Sequence, residues 1–416
     1  MESGARGESI EKLKGLKISS LDDEDDKIEE EQELIIEDDD EDDEEDEEQE
    51  PVVLGFLEKP KCHWSLLRQL FPSKAGGVPA WVDPINLPSG QSCTCDICGQ
   101  PLQFLLQVYS PLSDKESAFH RTIFVFMCTS MSCLLRDQHE QWKHGPGKPS
   151  RSVKVFRCQL PYSNPFYSSE PPKHNGNDRP LKAGVALCNW CGTWKGDKMC
   201  SSCKKAHYCS QKHQALHWRF GHKLECQRLS LSSQLPDSCD SAPMEKIQVA
   251  SNTLWPEYEM INENEDEFDE GETSDDERRV NSLVPTSRLD LSMNSLLDSF
   301  KGDSDKKCWA VFQERIARAP EQVVRYCRHA SAKPLWPMST GQPSKGDIPC
   351  CNHCGSSLVF EFQVLPQLLY YFGVKNDVDS LDWATIVVYT CGASCETSAG
   401  YAEEFAWVQL YPQSAA

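Results

Sequence analysis

Two stretches of the chain alternate apolar and polar positions with a period of two: Phe104, Leu106 and Val108, then Leu358, Phe360, Phe362 and Val364. That period predicts strands with one face buried. Each stretch is followed by a β-branched and aromatic run, residues 122–128 and 385–391, which predicts a further strand. Helical spacing is scarcer: it predicts helices over 64–70, 132–141, 210–218 and 308–327, the last interrupted at Pro320. No apolar run approaches the roughly 18 residues of a membrane span, and residues 1–17 are too polar for a signal peptide. The pattern predicts an α+β chain that is mostly β, soluble and intracellular.

The two alternating stretches are copies of one another. Aligned without gaps, residues 95–112 and 351–368 share eight identities in eighteen at a constant offset of 256. The identities include both cysteines of a Cys-x2-Cys-Gly unit, and Gln107 and Val108 with Gln363 and Val364. Upstream, Pro79-Ala80-Trp81 echoes Pro334-Leu335-Trp336; downstream, Gln159-Leu160 echoes Gln409-Leu410. The expected architecture is two homologous β-rich halves, 51–170 and 301–413, forming a pseudo-symmetric unit. Each half carries four cysteines: Cys95, Cys98, Cys128 and Cys133 in the first, Cys351, Cys354, Cys391 and Cys395 in the second. Each set resembles a zinc-ribbon site, the alternative being free thiols in the core. Packing alone would have let one copy drift, so retention of all four positions favours metal.

Between the halves lies the densest chemistry. Cys188-x2-Cys191, Cys200-x2-Cys203, Cys209-x3-His213 and His222-x3-Cys226 place eight ligands in 39 residues as four close pairs, enough for two tetrahedral zinc ions. The two i, i+4 pairs put their ligands on one helical face. A cross-brace would give Cys188, Cys191, Cys209 and His213 to one ion and Cys200, Cys203, His222 and Cys226 to the other; sequential pairing of neighbours remains open. In a reducing compartment disulfides are a weak competitor for these thiols. His207 and His217 are spare, and surface or packing roles suit them better than ligation.

Tyr208 before Cys209, Gln214 after the sixth ligand and the run from Trp218 to His222-Lys223 make residues 186–228 resemble a MYND finger. His213 stands where most such fingers have cysteine. Together with Ser73-Lys-Ala-Gly-Gly-Val-Pro-Ala-Trp81 and the two Cys-x2-Cys-Gly units, this makes about 300 of the 416 residues similar to the programmed cell death protein 2 family. One departure is the absence of paired glycines before Pro334-Leu335-Trp336. The resemblance implies a dedicated chaperone that binds a newly made small-subunit ribosomal protein, number five in the universal naming, and supports small-subunit biogenesis.

Charge bears on that implication. The formal charge is −23, and residues 22–50 alone hold 22 acids and one lysine, with an unbroken acidic run over 37–48. Self-repulsion predicts a disordered acidic tail over 1–50 and a disordered acidic linker over 229–300, whose stretch 257–277 carries 12 acids and no Lys or Arg. A ribosomal protein is basic, so the tail is an apt counter-surface. The finger itself is basic, seven Lys or Arg against Asp197 and Glu225. Direct nucleic-acid contact is not expected; the finger is expected to take short proline-containing peptides. The expected location is cytoplasmic and also nuclear. An adaptor in transcription or cell-growth control is the competing reading, and Ser274 within an acidic stretch fits a kinase site. No enzyme is expected: Asn352-His353-Cys354 faintly resembles a methyltransferase motif but lies inside the Cys-x2-Cys unit, and no Gly-rich cofactor loop, nucleophile elbow or HExxH occurs.

Overall fold

The computed structural model describes residues 51–62, 64–143, 150–232, 249–268, 303–329, 331–375, 377 and 379–411. The acidic tail and Ser274 lie outside the described residues. The described chain is mostly β. Ten strands close into a barrel in the order β1 (Val53–Glu58), β8 (Tyr258–Asn264), β2 (Lys74–Ala75), β3 (Gln103–Tyr109), β4 (His120–Met127), β5 (Val153–Leu160), β12 (Tyr401–Gln409), β11 (Thr385–Cys391), β10 (Leu358–Val364) and β9 (Val324–Tyr326), which returns to β1. The finger adds a hairpin, β6 (Lys198–Met199) with β7 (His207–Tyr208). Among the described residues, five α-helices accompany them: α1 (Met131–Gln141), α2 (Gln211–His217), α3 (Lys223–Ser232), α4 (Ser304–Ala317) and α5 (Gln367–Tyr371).

The alternation places the core. Leu57, Ala75, Leu106, Val125, Val155, Met260, Val324, Phe362, Val388 and Ala406 supply one buried residue from each barrel strand to a single cluster, which is therefore the barrel interior. The opposite faces of β3, β4 and β5 carry Phe104, Phe124, Phe126 and Phe156, which pack under Trp81 and the finger's Trp194. Strands buried on both faces read as near-continuous apolar runs, as β4 does. Each such side chain contributes roughly 1.5–3 kcal/mol by leaving water. β3 and β10 each carry a bulge at matched positions, between Phe104 and Leu106 and between Phe360 and Phe362.

Inside the barrel, on the same face of β4 as Ile123 and Val125, Arg121 makes a two-pronged ion pair with Glu361 at 2.6 and 2.8 Å. Both side chains are fully buried. Arg328 at 3.0 Å, Tyr326 at 2.9 Å and Thr390 at 2.5 Å also bind the carboxylate. Burial alone would push this carboxyl up; Arg121 and Arg328 outweigh it and hold Glu361 at about 2.

Several expectations are corrected. The segment expected as a disordered linker over 229–300 supplies the end of α3 and strand β8, which sits between β1 and β2. Two of its acids are anchors: Glu257 pairs with buried Lys74, and buried Glu265 takes Arg315 and Arg325, at 2.7 Å in each case. The predicted helix 64–70 is a short 3₁₀ turn, Arg68–Leu70, closed by Phe71 in the left-handed region. The helix predicted over 308–327 ends at Ala317, and beyond Pro320 the chain becomes β9, whose Val324 is needed in the barrel wall. The echo of Gln159 in Gln409 slips by one residue. The register sets Cys158 opposite Thr122 but Gln409 opposite Thr385, so Cys158 and Gln409 correspond.

Removing the buried carboxylate with Glu361→Ala should cost about 3–5 kcal/mol, because it strands a buried guanidinium. Arg121→Met should cost less, since Arg328 still compensates Glu361. Urea unfolding followed by tryptophan fluorescence at pH 7 measures both. The folded pKa is depressed, so this stability is present above the ordinary value of 4.5 and is lost as pH falls towards 2. The gap between the protein and Glu361→Gln should shrink over that window.

Candidate metal centres

Every Cys-x2-Cys turn in the molecule is built the same way. The residue after the second cysteine adopts positive φ in each: Gly99 (68°), Gly192 (66°), Lys204 (56°) and Gly355 (75°). Its N–H donates to the carbonyl of the first cysteine at 2.7–3.0 Å, onto Cys95, Cys188, Cys200 and Cys351 respectively. Three of the four are glycines because a side chain is strained there; Lys204 alone bears that strain. The turn points both sulfurs the same way.

The second pair of each finger quartet lies on a helix or just before one. Ser210 caps α2, its hydroxyl accepting the N–H of His213 at 3.1 Å, which sets Cys209 and His213 one turn apart. His222 and Cys226 follow a kink at Gly221, φ 154°, between α2 and α3.

Four quartets converge, the ligand atoms of each lying within 4.8 Å of one another: Cys188, Cys191, Cys209 and His213; Cys200, Cys203, His222 and Cys226; Cys95, Cys98, Cys128 and Cys133; and Cys351, Cys354, Cys391 and Cys395. The finger is thus crossed, its first pair meeting its third and its second its fourth; the sequential alternative is not what the chain adopts. A zinc ion at about 2.3 Å from each sulfur, tetrahedrally arranged, requires sulfurs about 3.8 Å apart. The observed separations are 3.9 Å for Cys191–Cys209, 3.8 Å for Cys200–Cys226, 3.7 Å for Cys98–Cys128 and 3.6 Å for Cys351–Cys395. His213 presents Nδ1 to Cys188 at 3.7 Å, whereas His222 presents Nε2 to Cys203 at 3.6 Å. All four donor sets fit zinc. Four protein ligands leave no open position, so zinc here supplies cross-links rather than a reactive site.

Surrounding groups tune the ligands. The free ring nitrogen of His222 faces Glu225 at 3.3 Å, the carboxylate–histidine arrangement that fixes a ligating ring. A hydrogen bond with Cys128 draws Cys95 down to about 5, and hydrogen bonds from Ser356 draw Cys354 to about 6. His217 is buried, bonded to Tyr208 at 3.1 Å and packed against His222. His207 is half-buried and meets the Gly196 carbonyl at 3.1 Å.

One participant carried no signal in the sequence. Arg157, on β5 of the first half, reaches the fourth quartet, contacting the Cys395 sulfur at 3.8 Å and its carbonyl at 3.0 Å. It also pairs with Glu404 at 2.5 Å, whose other oxygen accepts the Cys391 N–H at 2.9 Å. A basic residue in an apolar strand reads as a solvent-facing position, and its partner lies 238 residues away.

Purified protein should contain four zinc ions per chain, and Cys98→Ser and Cys354→Ser should each remove one while the finger keeps two. Elemental analysis after dialysis reads this. Both substituted cysteines are exposed, whereas Cys188, Cys191, Cys200 and Cys203 are buried, so a chelator should strip the ribbon sites before the finger. Arg157→Gln should speed release from the fourth site, read in a Cys98→Ser background, where the fourth site is the one all-sulfur set left and cobalt absorption distinguishes it from the Cys3His sites.

Comparison with known proteins agrees with this layout. Residues 51–174 match the family model "Programmed cell death protein 2, N-terminal domain", residues 306–410 match "Programmed cell death protein 2, C-terminal putative domain", and residues 188–226 match "MYND finger". The chain is 37% identical to programmed cell death protein 2 of Bos taurus over 369 residues, covering 86% of this chain and 96% of the relative. It is 38% identical to the Mus musculus protein over 372 residues, with the same coverage. A shorter likeness, 29% over 121 residues, covers 25% of this chain and 28% of the "Probable 20S rRNA accumulation protein 4" of Schizosaccharomyces pombe. No solved structure matches the chain significantly. A zinc-binding chain with both paired domains and the finger between them, it belongs to the programmed cell death protein 2 family.

Proposed function

We propose that this protein is a dedicated chaperone for a basic small-subunit ribosomal protein, number five in the universal naming, and that it supports assembly of the small subunit. Charge carries the reading: 21 of the 23 net negative charges fall in residues 22–50. An unassembled ribosomal protein exposes cationic surface meant for RNA, and a dense polyanion masks it and speeds encounter. The printed name of the Schizosaccharomyces pombe relative, which speaks of 20S rRNA accumulation, favours the same process. Closed zinc sites favour a binding protein over an enzyme. On this reading the protein acts in the cytoplasm, where the client is made, and in the nucleus, without a membrane and without touching nucleic acid directly. The matched bulges and matched cysteine quartets further support a pseudo-symmetric pair of halves as the client-holding body.

A second reading, an adaptor that docks proline-containing peptides through the finger, has one observation in its favour. Trp218, Phe220 and Leu224 are 44%, 69% and 68% exposed on the finger, more apolar surface than a purely structural module needs.

Recovering the protein together with ribosomes during brief translation should yield nascent client; an adaptor would yield none. Replacing the acidic run 37–48 with neutral residues should weaken binding of the purified client roughly tenfold at low salt and flatten its salt dependence, since screening sets in at about 8 Å near physiological ionic strength. Unchanged affinity would remove the masking idea.

A further inference from the structure

We infer that the turn Cys391–Cys395 is a lid over one end of the barrel, held shut by ligation of zinc at the fourth site. When that single ion is lost the turn opens, while the barrel wall and the other three sites stay formed. The lid is independent of the chaperone reading.

The turn belongs to the second half, yet most of the side chains that fasten it come from the first. Lys115 donates to the carbonyls of Ala393 at 2.6 Å and Ser394 at 2.8 Å, Gln159 to the Ser394 carbonyl at 3.2 Å, and Arg157 to the Cys395 carbonyl at 3.0 Å. From its own half, Arg328 donates to the carbonyls of Cys391 at 3.1 Å and Gly392 at 2.9 Å. Every carbonyl of the turn thus accepts from a side chain. The two arginines also reach into the barrel: Arg328 binds Glu361, itself paired with Arg121, and Arg157 binds Glu404. The turn therefore lies across the end of the barrel where these buried ions sit.

Metal decides whether it stays there. The turn has little apolar substance of its own, its middle residues being Gly392, exposed Ala393 and Ser394. A cavity of about 440 Å³ opens beside it, lined in part by Lys115, Arg157, Gln159 and Cys395. Ser394 has φ 42°, a left-handed conformation that a residue with a side chain keeps only under constraint. The constraint is the cysteine at each end, since Cys391 and Cys395 converge with Cys351 and Cys354. Four thiolates outweigh the two charges of a zinc ion, so the loaded site is an anion. Arg157 faces it at the Cys395 sulfur, 3.8 Å away. Without the ion both ends are released, Ser394 relaxes, and the clamp loses the fixed row of carbonyls it grips.

The third site has no such clamp. The strand register places Val408, a core residue, where the first half has Arg157. The corresponding turn, residues 128–133, holds no left-handed residue and accepts no side-chain donor from the second half among the described residues. Zinc loss there should leave the barrel end closed.

Hydrogen exchange read by mass spectrometry on full-length protein tests the lid, with zinc content measured alongside. The closed turn protects its amides: the Gly392 N–H donates to the Ser357 carbonyl at 3.0 Å and the Ser394 N–H to the Cys391 carbonyl at 2.9 Å. Cys354→Ser should speed exchange over residues 391–400 at least tenfold while β3, β4 and β10 keep their protection. Cys98→Ser should leave residues 391–400 unchanged. Lys115→Met, which keeps every ligand and all four ions, should speed exchange of the turn at least threefold. Unchanged exchange over 391–400 in Cys354→Ser overturns the lid, as does an unaltered protein that holds no fourth ion. Equal opening in Cys98→Ser overturns its link to the fourth site, and unchanged exchange in Lys115→Met overturns the clamp. Loss of protection across β3, β4 and β10 in Cys354→Ser overturns the lid as well, because the ion would then hold the whole fold.

Discussion

Neither half of this chain can satisfy its own sheet. The first half leaves the outer edges of β1 and β5 bare, and the second leaves β9 and β12 bare; the structure pairs β1 with β9 and β5 with β12. An exposed edge is a row of unmet hydrogen bonds, and barrel closure is the solution that removes it entirely. The β5–β12 seam is reinforced by Arg157 with Glu404, and the halves are tied again by the Arg121–Glu361 pair spanning 240 residues inside the barrel. Closure also explains why an acid-rich stretch between the halves yields β8: without it β1 and β2 would face each other with no partner. A sheet closed by its last strand has high contact order, so the barrel completes only after most of the chain is made.

Zinc does a different job. The Cys-x2-Cys turns sit in loops outside the barrel strands, and a closed tetrahedral site orders such loops. The finger carries two of these sites in 39 residues and so holds its own shape. What attaches it is aromatic: Trp194 is 1% exposed and wedged against Phe126, with Trp81 alongside. An insertion that buries one tryptophan on an existing aromatic face leaves the barrel hydrogen bonds untouched. The fourth site is less independent, because Arg157 brings charge from the first half to a sulfur of the second.

Much of the metal architecture was legible in the sequence, since four ligands must close on one ion and close spacing betrays them. The strands carrying Phe104 and Phe360 were legible for a similar reason, a strictly local period. What escaped was decided at long range. Glu265 reads as one acid among many, yet two arginines from α4 and β9 bury it. Arg121 and Arg157 carry no local signal because their partners lie more than 200 residues away. Residues 324–326 continued a helical pattern past Pro320, and the barrel's need for a strand beside β1 overrode that pattern. The slipped echo of Gln159 in Gln409 shows that two matching letters fix a strand's register less firmly than hydrogen bonds do.

The two copies depart from each other in ways that share one logic. At the matched bulge the first half has Leu105 and the second has Glu361, so one copy contributes grease and the other an anion to the same interior. On the outer face the first half is covered by the inserted finger, while Phe360, Tyr389 and Trp407 of the second are covered by Trp336, Ile348 and Leu358 of their own half. A duplicated unit that must still close one barrel cannot alter its strand pairing, because every hydrogen bond is shared with a neighbour. It can alter what fills the interior and what covers the outside. The interior change ties the halves together through an ion pair that neither copy could make alone. The exterior change covers one copy with the inserted finger and the other with a segment of its own half, so both outer faces are sealed without any change in strand pairing.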